Sequence, residues 1–182
     1  MSNWITRQLA EIAELVRGSS PRPAGDPKFF DGNFLPWITV SEITKDESMY
    51  LRSTASCLTR EGAEKTRIFE PGTLLLTNSG ATLGVPTITT IRAGANDGVA
   101  GFLNLQANSK FLYYFLQSKT AYFRSGLAPG VGQPNLNTDL IGSVVIRLPP
   151  PIARQLQMSS RASSHNFVGN LQRVSLRSGR PQ

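Results

Sequence analysis

The chain has 182 residues, 40% of them apolar, and a net charge of +7. That suits one domain, or one domain and a tail; there are enough apolar side chains for a core and no run near the ~18 residues of a membrane span. A single cysteine, Cys57, and a single histidine, His165, exclude an internal disulfide framework and a Cys-rich zinc site, and argue against a Cys–His nucleophile pair.

In chain order, "MSNWITRQLAEIAEL" carries acids and an amphipathic pattern. It does not read as a signal peptide, which points to a cytoplasmic protein. Leu9, Ile12, Ala13 and Val16 recur at helical spacing and predict a short helix, passing into a strand before Gly18. "GSSPRPAGDPKFFDGN" is Gly/Pro/Asp-rich and predicts a loop. "FLPWITV" predicts a strand with Trp37 and Ile38 in the core. "SEIT" predicts a turn, and "MYLRSTASCLT" has strand character. Thr59 is placed to cap a helical turn in "REGAEKT".

"PGTLLLTNSGATLGVPTITTI" predicts a hairpin. It has a turn at Pro71-Gly72, a strand from Leu74 to Leu76, a loop from Asn78 to Gly84 and a return strand from Val85 to Ile91. Another strand is expected from Val99 to Leu105. The clearest helix starts at Ser109 as cap, carries Phe111, Leu112, Phe115, Leu116, Tyr122 and Phe123 on a core face, and ends at Gly126. Thr138 caps a turn over Asp139 to Gly142, and "SVVIRLP" predicts a buried strand. Many strands, few short helices and no β-α alternation indicate an α+β fold with a mixed, mostly antiparallel sheet.

The charge is uneven. Arg154, Arg161, Arg173, Arg177 and Arg180 fall in residues 153–182, which hold no acid; removing these five from +7 leaves +2 for residues 1–152. The division is therefore a domain over 1–152 and, over 153–182, a short helix start followed by a basic Ser/Arg-rich tail. The tail has no sustained apolar period and is expected to be disordered. A basic balance suits an anionic partner such as nucleic acid.

Enzyme signatures are missing. There is no Walker loop, and Gly130-Val131-Gly132 is too short for a dinucleotide fingerprint. Asp26 and Asp31, and Glu61 and Glu64, lie close in sequence but outside an Asp…Glu-x-Lys nuclease pattern. Ser79 stands in "NSGA", not in a GxSxG elbow. The chain is expected to catalyse nothing alone and to hold no metal or cofactor.

The order of motifs resembles a target recognition domain from the specificity subunit of type I restriction–modification systems. Leu9, Ile12, Gly18, Pro21, Phe30, Gly32, Pro36, Trp37, Ile38 and Ile43 match its opening pattern. "LTREGAEKTRIFEPGTLLLTNSGATLG", "FLYYFLQS" and "GVGQPNLNTDLIGSVVIRLPPP" are similar to its later segments, so the resemblance covers roughly residues 4 to 157. Two departures stand out. Asn96-Asp97-Gly98 replaces a more usual Asn-Gln pair, and Arg154 stands where a Glu precedes a long spacer helix.

The resemblance implies a non-catalytic subunit that reads one half of a bipartite site in double-stranded DNA. It implies docking to a methyltransferase (modification) subunit and, through it, to the restriction subunit. Without the spacer helix, the expectation is a truncated, split or diverged half subunit with one recognition domain, monomeric in isolation and away from membranes. The expected DNA contacts are Arg22 and Lys28 in the first loop, Asn78, Ser79 and Thr82 in the hairpin loop, and Gln133, Asn135 and Asn137 in the Gly-rich loop. Asn and Gln can bond bidentately to adenine and Arg to guanine, and Ser, Thr and Lys can hold phosphates. The alternatives are a metal-dependent nuclease assembled only in the fold, and a remnant with no recognition role.

Overall fold

Short strands punctuated by Gly, Pro and Asn leave most backbone groups to be paired between distant segments. The computed structural model of the chain describes residues 4–46, 48–127 and 135–150. Backbone contacts divide the chain into a larger unit, Arg7–Ile146, and a smaller one made of Met1–Thr6 with Arg147–Gln182.

The chain opens with β1 (Ile5–Gln8), a single 3-10 turn (Leu9–Glu11) and β2 (Glu14–Arg17). The helix expected here is thus one turn. The Gln8 N–H donates to the Glu11 carboxylate at 2.6 Å, and Leu9, Ile12 and Ala13 are buried. The helical spacing reflects that single buried turn, because residues 14–17 pair with a later strand instead.

Asp26 caps α1 (Pro27–Phe30) through the Lys28 N–H at 2.9 Å, with proline at the first helical position, so a helix stands where loop is expected. β3 (Leu35–Ile38) follows, with Trp37 and Ile38 buried as expected. Thr39 then caps α2 (Val40–Thr44), a short helix over the expected turn. The strand expected over residues 49–59 divides into β4 (Tyr50–Leu51) and β5 (Cys57–Leu58). Thr59 caps α3 (Arg60–Ala63), its hydroxyl accepting from Gly62 N–H at 3.1 Å.

β6 (Arg67–Phe69), β7 (Leu74–Thr77), β8 (Pro86–Thr89), β9 (Ala93–Ala95) and β10 (Val99–Leu103) come next, and β7 and β8 form the expected antiparallel hairpin. α4 (Ser109–Ser118) is capped by Asn108 rather than Ser109; the Asn108 amide oxygen accepts from the N–H groups of Lys110 and Phe111. α5 (Thr120–Tyr122) runs into a π-helical turn (Phe123–Leu127). α6 (Thr138–Gly142) and β11 (Val145–Leu148) complete the described chain. The cap of α6 is Asn137, one residue before the expected Thr138.

The strands form a five-stranded sheet ordered β2-β10-β7-β8-β4, a four-stranded sheet ordered β5-β3-β9-β6, and the β1–β11 pair. Only β3–β9 and β4–β8 are parallel among the pairings with known direction, so the fold is α+β with antiparallel-dominated sheets. One core cluster joins Ile38, Ile43, Leu51, Phe69, Leu75, Val85 and Val99. A second packs Leu35, Trp37, Leu58 and Ala63, with the Phe30 ring edge-on to Trp37 at 5.8 Å. In the smaller unit the Arg147 guanidinium lies 5.9 Å from the Trp4 ring centre. The expected tail, residues 153–182, lies outside the described residues. Among the described residues no helix is long and apolar enough to cross a membrane.

Candidate nucleic-acid interface

β7 ends at Thr77, a buried threonine that must satisfy its own hydroxyl. It donates to the Thr82 carbonyl at 2.8 Å and accepts from Val85 N–H at 2.9 Å, closing residues 78–84 into a fixed loop. Gly84 N–H donates to Thr77 O at 2.7 Å. Gly84 has φ +85°, and a Cβ there would sit 3.1 Å from the Phe123 ring; only glycine fits both demands.

Segments far apart in sequence fasten onto this loop. Asn78 N–H donates to Gly98 O at 2.9 Å, and Leu136 N–H donates to Asn78 O at 2.7 Å. Ser79 and Asn135 form an isolated antiparallel bridge. Thr120 donates its hydroxyl proton to Gly84 O at 2.7 Å, and Arg124 Nε–H donates to Leu83 O at 3.0 Å. Beside Gly98, the Asp97 carboxylate accepts from the Ser20 hydroxyl at 2.8 Å and lies 3.6 Å from Arg22, while Arg17 Nε–H donates to the Asp97 carbonyl. Residues 17–22, 78–84, 96–98, 120–124 and 135–137 thus form one polar cluster. It carries three arginines against the single carboxylate of Asp97.

The sequence-derived residues divide in their placement. Ser79 is half-buried, while Thr82, Asn135 and Arg22 are exposed in the cluster. Asn78 belongs to it through its backbone, but its side chain is 0% exposed, and neither its Oδ1 nor its Nδ2 has a hydrogen-bond partner among the described residues. Asn137 is exposed, and its amide oxygen is committed to Leu140 N–H at 2.8 Å. Lys28 stands apart on α1, paired with Glu61 of α3 at 3.0 Å. Gln133, with Gly130 and Gly132, lies outside the described residues. Arg17 and Arg124 are residues that sequence reasoning misses. The only signal at Arg124 is a cation directly after the aromatic end of the long helix.

The chemistry of the cluster is that of hydrogen-bond donors, amides and cations, suited to phosphates and base edges. Among the described residues no group of three His, Cys, Asp or Glu side chains gathers to hold a metal ion. Asp26 and Asp31 flank α1, whereas Glu61 lies in α3 with Glu64 at its end; the Glu61 carboxylate faces Lys28.

Known proteins resemble the chain in both sequence and fold. The MjaIX type I restriction enzyme specificity subunit of Methanocaldococcus jannaschii is 27% identical over 157 residues, covering 84% of this chain and 36% of that subunit. Among solved structures, the HsdS subunit from Thermoanaerobacter tengcongensis superimposes with a TM-score of 0.62 at 18% identity, over 94% of this chain and 39% of its own length. The S subunit of a type I restriction–modification system from M. genitalium gives 0.58 at 14%, over 91% and 40%. A chain from a type I R-M system studied for complex assembly and conformational transition gives 0.60 at 16%, over 96% and 43%. This chain therefore spans about two fifths of the length of those relatives. The model of the type I restriction modification DNA specificity domain matches residues 1–165, and the chain belongs to that family.

Proposed function

We propose that the chain is the DNA-reading component of a type I restriction–modification system, or half of one. In this reading, the loop cluster contacts one half of a bipartite target in double-stranded DNA. The chain presents that target to a methyltransferase subunit and, through it, to a restriction subunit, and it makes and breaks no bonds itself. The supporting observation is the clustering of four other polar segments around the β7–β8 loop in a chain of the DNA specificity family.

Within the cluster, Ser79, Thr82, Asn135 and Arg22 are the proposed contacts, joined by Gln133 from outside the described residues. Asn78 and Asn137 shape the loops that carry them. Lys28 is a peripheral phosphate contact, free to leave Glu61 because both partners are largely exposed. The site of action is the cytoplasm, where the DNA is.

Selection from randomised duplex DNA by the full chain with its methyltransferase subunit tests this reading. One short sequence block should be enriched, and binding should weaken steeply with salt. A library that emerges without any preferred block would refute sequence reading.

A further inference from the structure

Arg124 is the second residue of the π-helical turn Phe123–Leu127. Such wide turns recur at functional sites. Its neighbour Phe123 is 0% exposed and packs against Gly84, so the turn is anchored on the hairpin loop, while Arg124 itself stays exposed. The Nε–H bond to Leu83 O at 3.0 Å spans 41 residues of sequence and holds the guanidinium in place.

A guanidinium has five N–H donors, and the Nε bond uses one. The four on the two Nη atoms make no ion pair with a carboxylate among the described residues. The other two arginines of the cluster differ. Arg22 faces the Asp97 carboxylate, and Arg17 is bonded to the carbonyl of the same residue. Arg124 is thus a planar donor fork, fixed at one end on the β7–β8 loop, with no acid among the described residues to occupy it.

We propose that Arg124 is a specificity-determining residue that reads a guanine, its two Nη groups donating in parallel to O6 and N7 in the major groove. The inference rests on the DNA-reading role proposed above. A phosphate could accept from the same donors, so the experiment must separate the two. Lysine keeps the charge that a phosphate needs but lacks the rigid planar fork that fits guanine O6 and N7 best, so it should satisfy a phosphate fully and guanine only in part.

The full chain with its methyltransferase subunit is first used to select a duplex, as above. Each guanine of that duplex is then replaced singly by 7-deazaguanine, which removes the N7 acceptor. Wild type should lose affinity, within roughly 5- to 150-fold, at one guanine. Arg124→Ala should bind the unmodified duplex more weakly and show no further loss at that same guanine. Arg124→Lys should bind the unmodified duplex more weakly than wild type and lose less at that guanine than wild type does.

Enrichment of no sequence by wild type would remove the DNA-reading role and this inference with it. A selected block that lacks G·C pairs, or indifference of wild type to 7-deazaguanine at every position, would overturn the assignment of Arg124 alone. Arg124→Ala that still loses affinity at that same guanine, with Arg124→Lys matching wild type, would make Arg124 a phosphate contact and overturn the inference equally.

Discussion

Asn78 buries a whole carboxamide with no partner among the described residues for its oxygen or its nitrogen, while its backbone N–H and C=O tie three segments together. A buried polar group without a hydrogen bond costs about 1–3 kcal/mol. Truncating it removes both that penalty and some packing, and the two effects oppose each other. For a fully buried leucine the same truncation costs about 2–5 kcal/mol, because nothing is relieved. Asn78→Ala should therefore stay within about 1 kcal/mol of wild type in urea unfolding, from the balance of those two terms. Asn78→Asp, which places a charge in the same sealed position, should cost several kcal/mol at neutral pH. A loss of about 3 kcal/mol or more for the alanine variant would mean that the amide is satisfied after all.

At the scale of elements, the two larger sheets meet where β10 passes β6. An added Cβ at Gly101 would fall against the Phe69 ring, with Cδ1 at 2.8 Å and Cζ at 2.9 Å. Phe69 is 0% exposed and cannot swing into solvent. Gly101→Ala should thus cost about 1–3 kcal/mol as an overpacked core. Phe69→Leu should be less damaging in that background than alone, a coupling that a double-mutant cycle of unfolding free energies measures. Additive losses would show that the sheets do not touch there. Nothing in the residue pattern foretells this contact, for a glycine in a strand has several readings. By contrast, Thr59 as a cap and the β7–β8 hairpin are legible, because cap and turn chemistry act over a few residues. β9, whose sequence is Ala-Gly-Ala, has no strand propensity; its neighbours β3 and β6 impose the conformation. The caps of α4 and α6 each fall one residue early, on Asn108 and Asn137, since asparagine caps as well as the following Ser or Thr. The same locality governs the site. The polar Gly-rich loops are legible as loops, but the pairing of Ser79 with Asn135 and the docking of Arg124 on Leu83 are products of tertiary contact.

For the whole chain, charge placement decides how binding responds to salt. Residues 1–152 carry only +2, whereas five arginines and no acid occupy residues 153–182. Each phosphate neutralised on duplex DNA contributes about −0.9 to the slope of log K against log salt. Arginines that meet phosphates there would add up to about −4.5 in slope, while the proposed function assigns base reading to the loop cluster. Changing Arg154, Arg161, Arg173, Arg177 and Arg180 together to Gln should flatten the slope by about 4 to 5 units in an anisotropy titration on the selected duplex. The preferred bases should stay the same if the loop cluster reads them as proposed. An unchanged slope would show that these arginines do not meet DNA. A changed base preference would show that residues 153–182 take part in reading, and the proposed division of labour between a weakly charged reader and a cationic segment would fail.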